Sequence, residues 1–229
     1  MIKDSAEVKE IEHQIESALW DLELHNKHDQ ALETYRGAEA RLEELDITAN
    51  NPAYKEQQRV LAYCLMRQGN ILRQMDKPGN AQHLGEREIA AARNSGDGIT
   101  LARALMSNGT NFIVTGEITT GLGLIEEAHR LLELGDSYDH RQSLGWYWIL
   151  QADLANAGLV KKEPFEVIEF ATHALDILEP INNWPGMARA YAARAKAYEN
   201  MGDADKAAKD RQEQKLSESK IEPGEESAG

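Results

Sequence analysis

One cysteine in 229 residues, Cys64, rules out an internal disulfide, so packing and hydrogen bonds must hold the fold and no oxidising compartment is required. Positive charge is also scarce: 25 Lys and Arg stand against 39 Asp and Glu, for a net charge of −14. That balance works against phosphate backbones and anionic lipid, which argues against nucleic acid and membrane surfaces as partners. No apolar run approaches the length of a signal core or a membrane span, and the expected location is the cytoplasm. Sustained two-residue alternation is missing as well, so no strand is expected.

What remains is the composition of a helical protein. Apolar residues make up 41% and charged residues 28%, a mixture that can bury a core and still solvate its outer faces. Apolar residues recur at three- and four-residue spacing, as in Ile11, Ile15, Ala18, Leu19 and Leu22, the period of a helix with one buried face. Turn chemistry interrupts this pattern at Asn50-Asn51-Pro52, Asp76 to Gly79, Ser95 to Gly98, Gly135-Asp136, Glu163-Pro164, Pro180 to Pro185 and Gly202-Asp203. These breaks imply about ten helices, with Asn51 or Asn183 near N-caps and Pro52 or Pro185 in a first turn.

A repeat underlies the helices. Gly69, Gly109, Ala152 and Ala195 each lie in mid-helix, with Leu65, Leu105, Trp148 and Tyr191 four residues before them. Twelve residues after Gly69, Gly109 and Ala195 comes a second small residue, Ala81, Gly121 and Ala207. An earlier unit fits with Ile15, Leu19, Ala31 and Ala38. A small side chain on each of two antiparallel helices lets their backbones approach while larger neighbours fill the flanks. Each unit is therefore a helical hairpin that buries its faces by stacking on the next.

The stretches Leu65 to Ala81, Leu105 to Ala128 and Tyr191 to Ala207 resemble the tetratricopeptide repeat family. The units recur about every 40 to 50 residues rather than about every 34, so the chain is similar to the longer-helix variant of kinesin light chains and bacterial regulators. The resemblance implies an all-α fold, an α-solenoid of about five antiparallel helix pairs wound as a right-handed superhelix, over residues 1–216. Two further departures stand out. Lys161-Lys162-Glu163 pushes the small site of the fourth unit onto Val167. Gly85 and Glu88 stand where the family keeps an aromatic and a small residue, which predicts loose packing of that helix. The segment 217–229, rich in Ser, Glu, Gly and Pro, is expected to be a disordered acidic tail.

Candidate chemistry is sparse. His25 and His28 lie three apart but no third ligand is specified beside them, and two donors do not make a metal site. Gly116 to Gly123 has glycines but no Lys-Ser/Thr ending and no preceding strand, so it is not a phosphate loop. Asn108-Gly109-Thr110 matches a glycosylation acceptor only by chance in a cytoplasmic helix. Cys64 reads as a small buried apolar residue. No catalytic residue, metal or cofactor is assigned, and the chain is not expected to be an enzyme.

In tetratricopeptide arrays the first helix of each hairpin lines a concave groove that holds peptides. Carried onto this register, the resemblance selects Trp20 in the first unit, Tyr63, Arg67, Asn70 and Arg73 in the second, Arg103 and Met106 in the third, Trp146, Leu150, Asp153 and Asn156 in the fourth, and Arg189 and Lys196 in the fifth. Arginine and aromatic side chains make the strongest anchors. The expected function is protein–protein interaction, with a peptide or partner helix bearing acidic and apolar side chains. The alternatives are a structural protein that dimerises through its terminal repeats, or a ligand-sensing regulator that acts with a separate effector. Met66 and Ser107 stand where the carboxylate-clamp variant wants Lys and Asn, so that variant is not expected.

Overall fold

The structure, a computed structural model, describes residues 2–221. Among the described residues there is no strand. The helices run in the order α1 (Ile2–Asp21), α2 (His28–Glu44), α3 (Tyr54–Gln74), α4 (Pro78–Ser95), α5 (Gly98–Val114), α6 (Ile118–Leu132), α7 (Tyr138–Asn156), α8 (Pro164–Leu178), α9 (Trp184–Met201) and α10 (Ala204–Glu218). Short 3-10 turns follow α1 at Glu23–His25 and α8 at Glu179–Ile181. The architecture is the all-α solenoid of helical hairpins that the spacing of small residues predicts.

Local chemistry places the helix ends. Asp97 accepts from the Thr100 amide at 2.8 Å, Asn183 from the Gly186 amide at 2.9 Å and Asp203 from the Lys206 amide at 3.2 Å, each satisfying one orphan donor of a first turn. Pro78, Pro164 and Pro185 sit in first turns, where a missing N–H costs nothing. Pro52 lies one turn earlier than expected: α3 begins at Tyr54, and Asn51 accepts from the Ala53 amide at 2.9 Å instead. Gly96 and Gly202 end α4 and α9 at φ of 71° and 78°, a left-handed conformation that a side chain would disfavour.

The chain divides into two compact units, Met1–Leu131 and Leu132–Gly229. In the first, α1 packs on α2 and α3 on α4, while α3 also touches both α1 and α5. The first helices of successive hairpins are thus neighbours. Its core takes Val8, Ile11 and Ile15 from α1, Tyr35 and Leu42 from α2, and Val60, Ile71 and Leu72 from α3. Where α3, α4 and α5 meet, the buried apolar residues are alanines, Ala62, Ala91, Ala92 and Ala104, with Leu61, Ile89 and Leu101 packed against them. In the second unit α8 packs between α7 and α9, and α10 closes on α9. Val167 is buried with Ala152, Ala171, Ala193 and Ala197, as the shifted register of the fourth hairpin predicts. Arg194 ties three helices, reaching both Asp210 oxygens at 2.8 and 2.9 Å and the Thr172 hydroxyl at 3.1 Å.

The expected boundary at residue 216 falls inside α10. That helix continues through Glu218, with Ser217 buried and its hydroxyl donating to the Glu213 carbonyl at 2.9 Å. The Lys220 ammonium lies 4.0 Å from the centre of the Trp184 ring. Residues 222–229, which hold most of the expected tail, lie outside the described residues.

The small-residue positions are not equivalent in the packing. A Cβ on Gly109 would stand 2.7 Å from the Gly121 carbonyl oxygen, and one on Gly121 would stand 2.4 Å from the Gly109 carbonyl oxygen. Backbone meets backbone there. At Gly69, by contrast, the nearest atom is an Arg73 nitrogen at 3.8 Å, an ordinary contact, so close approach does not require glycine at that site. Gly109→Ala should therefore cost about 1 to 3 kcal/mol through overpacking, whereas Gly69→Ala should stabilise by up to about 1 kcal/mol through helix propensity. Urea denaturation of the two variants checks this, and equal destabilisation by both would contradict the assigned contacts.

Candidate ligand-binding site

Hydrophobic burial explains α1, α3 and α5 on the sides that face their partner helices. The side that α3 shares with its neighbours carries polar groups that the core does not need. Glu23, in the turn after α1, is only 6% exposed. Its carboxylate accepts two nitrogens of Arg67, one at 3.0 Å, and the Tyr35 hydroxyl at 2.8 Å. A bidentate guanidinium plus a phenol offsets the desolvation that a buried carboxylate would otherwise suffer. Burial, reinforced by the Glu23 charge, holds the Tyr35 phenol well above the usual tyrosine range.

Six residues along α3, Arg73 is satisfied differently. Its guanidinium donates to the side-chain oxygens of Asn70 and Asn111, and the Asn111 amide in turn donates to the Ala81 carbonyl at 3.2 Å. Both acceptors are neutral, so Arg73 is a partly buried cation with no carboxylate hydrogen-bonded to it. Burial pulls its pKa below the ordinary guanidinium value, while Glu88 acts in the opposite sense.

Glu88 of α4 is 2% exposed. Its Oε2 shares a 3.1 Å hydrogen bond with the Ser107 hydroxyl of α5, and its Oε1 is buried without a partner. Burial raises its pKa from 4.5 to about 8, against the pull of Arg73 and the Ser107 bond. Nearby, a Cβ on Gly85 would lie 2.1 Å from Asn108 Oδ1. The missing side chain admits the Asn108 amide. At Gly85 the space expected from the repeat is filled by the Asn108 amide, whose Oδ1 is buried without a hydrogen-bond partner, whereas at Glu88 the packing stays open.

A small pocket opens beside Glu88, lined by Arg59, Ala62, Tyr63 and Met66 of α3, Thr100, Arg103 and Ala104 of α5, and Glu88 of α4. About 30 Å³ of it is open to a water-sized sphere. Arg59 at its edge is bound by Glu56 at 2.8 and 3.0 Å and by Glu12 at 2.5 Å.

The groove residues selected from the sequence separate accordingly. Tyr63 and Arg103 come together in the pocket, beside Met66, and Asn70 and Arg73 bond each other. Arg67 is committed to Glu23, so a ligand carboxylate would have to displace an internal one. Trp20 is 38% exposed on α1, whereas Met106 is 8% exposed and belongs to the core. In the second unit Trp146 is 37% exposed, and Leu150 is half-buried. Asp153 and Arg189 pair at 2.9 Å between α7 and α9. Asn156 donates to the Ala193 carbonyl at 2.9 Å, and Lys196 lies 3.9 Å from Glu199 on the surface. The sequence reading missed Arg59, Asn111 and the role of Glu88; the last had shown itself only as a misfit to the repeat.

Among the described residues no three His, Cys, Asp or Glu side chains gather as metal ligands. His25 spends its Nδ1 on the Trp20 carbonyl at 2.9 Å. Cys64 is fully buried, donates to the Tyr35 carbonyl at 3.1 Å, and has its thiol pushed up to about 12 by burial, which keeps it un-ionised at neutral pH. No helix of the described residues is long and apolar enough to cross a membrane.

Comparison with solved structures agrees with this architecture. The chain shares its fold with BtubC (BKLC) from P. vanneervenii, at 13% identity and a TM-score of 0.58, over 99% of this chain and 96% of that one. It is also similar to a Podosopora anserina putative kinesin light chain with nearly identical TPR-like repeats, at 12% identity and a TM-score of 0.49, over 95% and 99% of the two chains. A third similar structure is MamA, at 20% identity and a TM-score of 0.44, over 82% and 91%. No family model and no curated protein matches the sequence. The likeness to BtubC shows the fold, an all-α array of helical hairpins.

Glu88 gives the site a pH signature. Its folded pKa of about 8 lies above the ordinary 4.5, so the native state holds a proton that the unfolded chain has lost between those values. Its contribution is therefore neutral below about pH 4.5, grows unfavourable as pH rises, and levels off above about pH 8. Glu88→Gln, which keeps a hydrogen-bonding partner for Ser107, should raise stability over the parent at about pH 8.5 and leave it nearly unchanged at about pH 4.5. Denaturant melts of both proteins across that range test this; a difference that does not grow with pH would show that folding does not raise the Glu88 pKa.

Proposed function

We propose that this chain is a non-catalytic protein-interaction module, and that the face formed by α1, α3 and α5 in the first unit holds an extended segment of a partner protein. The observation that carries this reading is Arg73. A partly buried guanidinium bonded only to neutral amide oxygens is costly to keep, and a carboxylate supplied from outside would relieve that cost with charge-assisted bonds. Asn70 is placed to give way to such a ligand, since it is half-buried and its side-chain oxygen can accept from water in place of the guanidinium.

The surroundings fit a peptide. Trp20 offers an exposed aromatic surface at 38% exposure, and Tyr63 and Met66 are half-buried rather than sealed in the core. Rigid aromatic area beside a desolvated cation is the composition of a binding hot spot. Arg67 acts here as a positioning group that fixes Glu23 and Tyr35, leaving Arg73 to meet the ligand. The non-catalytic reading is supported by the chemistry of the seam, whose groups are arginine, amide, hydroxyl and carboxyl, with the only thiol held un-ionised. The TPR-like fold itself is commonly used for interaction and scaffolding.

Selection of a random peptide library on the full chain tests the proposal. Selected peptides should carry Asp or Glu next to apolar residues, and Arg73→Gln should weaken them by more than tenfold without lowering the melting temperature, because the variant removes an uncompensated cation. Peptides without carboxylates, or peptides that bind Arg73→Gln as tightly as the parent, would overturn the assignment.

A further inference from the structure

We propose that Glu88 is the internal counter-charge of Arg73, and that it takes up a proton when a carboxylate of the partner segment binds the guanidinium, so that the face releases its ligand as the medium turns alkaline. The inference rests on the interaction reading above for the ligand and adds its regulation. Helix α5 sets the geometry. Ser107 shares its hydroxyl with Glu88 Oε2 at 3.1 Å, and the Asn111 oxygen accepts from Arg73. Residues four apart lie over one another on a helix, about 5 to 6 Å apart, so α5 holds a carboxyl from α4 and a guanidinium from α3 on successive turns of one face. Glu88, Ser107 and Asn111 are all buried, so protein rather than water lies between the two groups, which strengthens the action of one charge on the other. That action runs both ways: Glu88 favours the charged form of Arg73, and Arg73 favours that of Glu88.

The other titratable groups around Glu88 are matched elsewhere or neutral. On α3, Arg59 is bound to Glu12 and Glu56, and burial pushes the Tyr63 phenol up, so that it stays un-ionised. On α5, Arg103 acts on Asp97. From α2, Glu39 and Glu43 pair with Arg87, the residue before Glu88 in α4. The charge felt at the Glu88 carboxyl is that of Arg73.

The sign follows from where Glu88 titrates. Burial raises its pKa to about 8, so near neutral pH the internal carboxyl is largely un-ionised and Arg73 is open to a carboxylate from outside. Above that value Glu88 becomes an anion, which compensates Arg73 from within and repels an arriving carboxylate. A bound carboxylate in turn opposes the ionisation of Glu88 and raises its pKa further. Affinity is therefore level below about pH 8 and falls as pH rises above it, and in that range the complex holds up to one more proton than the free protein, taken from solvent onto Glu88.

The test titrates sodium acetate into the full chain at constant ionic strength, at about pH 6.5 and about pH 9.5, and follows the carbon-13 resonance of the Arg73 guanidinium carbon. Acetate should saturate that signal at the lower pH and bind at least about threefold more weakly at the higher one, and Glu88→Gln should lose this pH dependence. Saturating acetate should also move the Glu88 midpoint, read from its labelled carboxyl carbon, upward, and Arg73→Gln should raise that midpoint with no acetate present. Equal acetate affinity at the two pH values, the same weakening in Glu88→Gln, or a midpoint that Arg73→Gln leaves in place or lowers would overturn the inference while the carboxylate reading stands. Acetate that leaves the Arg73 signal unmoved at the lower pH would overturn the carboxylate reading, and this one with it.

Discussion

The contact on which the first unit depends is backbone against backbone, where α5 meets α6 at Gly109 and Gly121. A methyl group on either residue would stand 2.7 or 2.4 Å from the other's carbonyl oxygen, well inside van der Waals distance, so the helix spacing there is set by the absence of side chains. Alanine plays the same part more loosely between α3, α4 and α5, and in the second unit between α7, α8 and α9. Close spacing has a consequence for everything built on it. Helices brought this near set their bulky apolar residues, Ile113 and Ile125, directly against the two glycines, and polar side chains on neighbouring turns become buried along with the backbone.

That burial explains the seam of Glu23, Arg67, Arg73, Glu88, Ser107 and Asn111. Few of these groups improve stability, since a buried ion pair roughly breaks even against apolar packing and a half-satisfied carboxyl is a net cost. Two solutions coexist within one layer of helices. Glu23, Arg67 and Tyr35 form a closed triad with its charges matched, which fixes the turn after α1 against α3. Arg73 and Glu88 stay open, one a cation on neutral amides and the other a carboxyl with a bare oxygen.

The fold was legible because its signals are steric and periodic. Large-then-small spacing around Gly109, Ala152 and Ala195 follows from helix geometry, so hairpins, their order and even the shift to Val167 could be read from residues alone. Site chemistry was legible only in part. Tyr63 and Arg103 converge because they occupy equivalent positions on neighbouring first helices, six residues before Gly69 and Gly109. The partner of Arg67, by contrast, lies in a turn 44 residues away, and no local rule names it. Gly85 and Glu88 looked like defects of the repeat, because the amide that fills the gap belongs to Asn108 on the next hairpin. Gly69 was read as a close contact on spacing, yet the flexible Arg73 side chain is all that lies above it. The end of α10 ran past its compositional boundary because Ser217 bonds back onto its own helix and is buried.

The central claim is that a partner lies along α3 and α5 of the first unit, and the methionines report on it directly. Met66 lines the pocket and Met106 lies under the same face, while Met187 is in the core of the second unit and Met201 is 56% exposed at the end of α9. With the methionine methyls carbon-13 labelled, a saturating amount of a library-selected peptide should shift the Met66 resonance most, move Met106 less, and leave Met187 and Met201 in place. A peptide that shifts Met187 or Met201 while the Met66 signal stays unmoved would contradict the account.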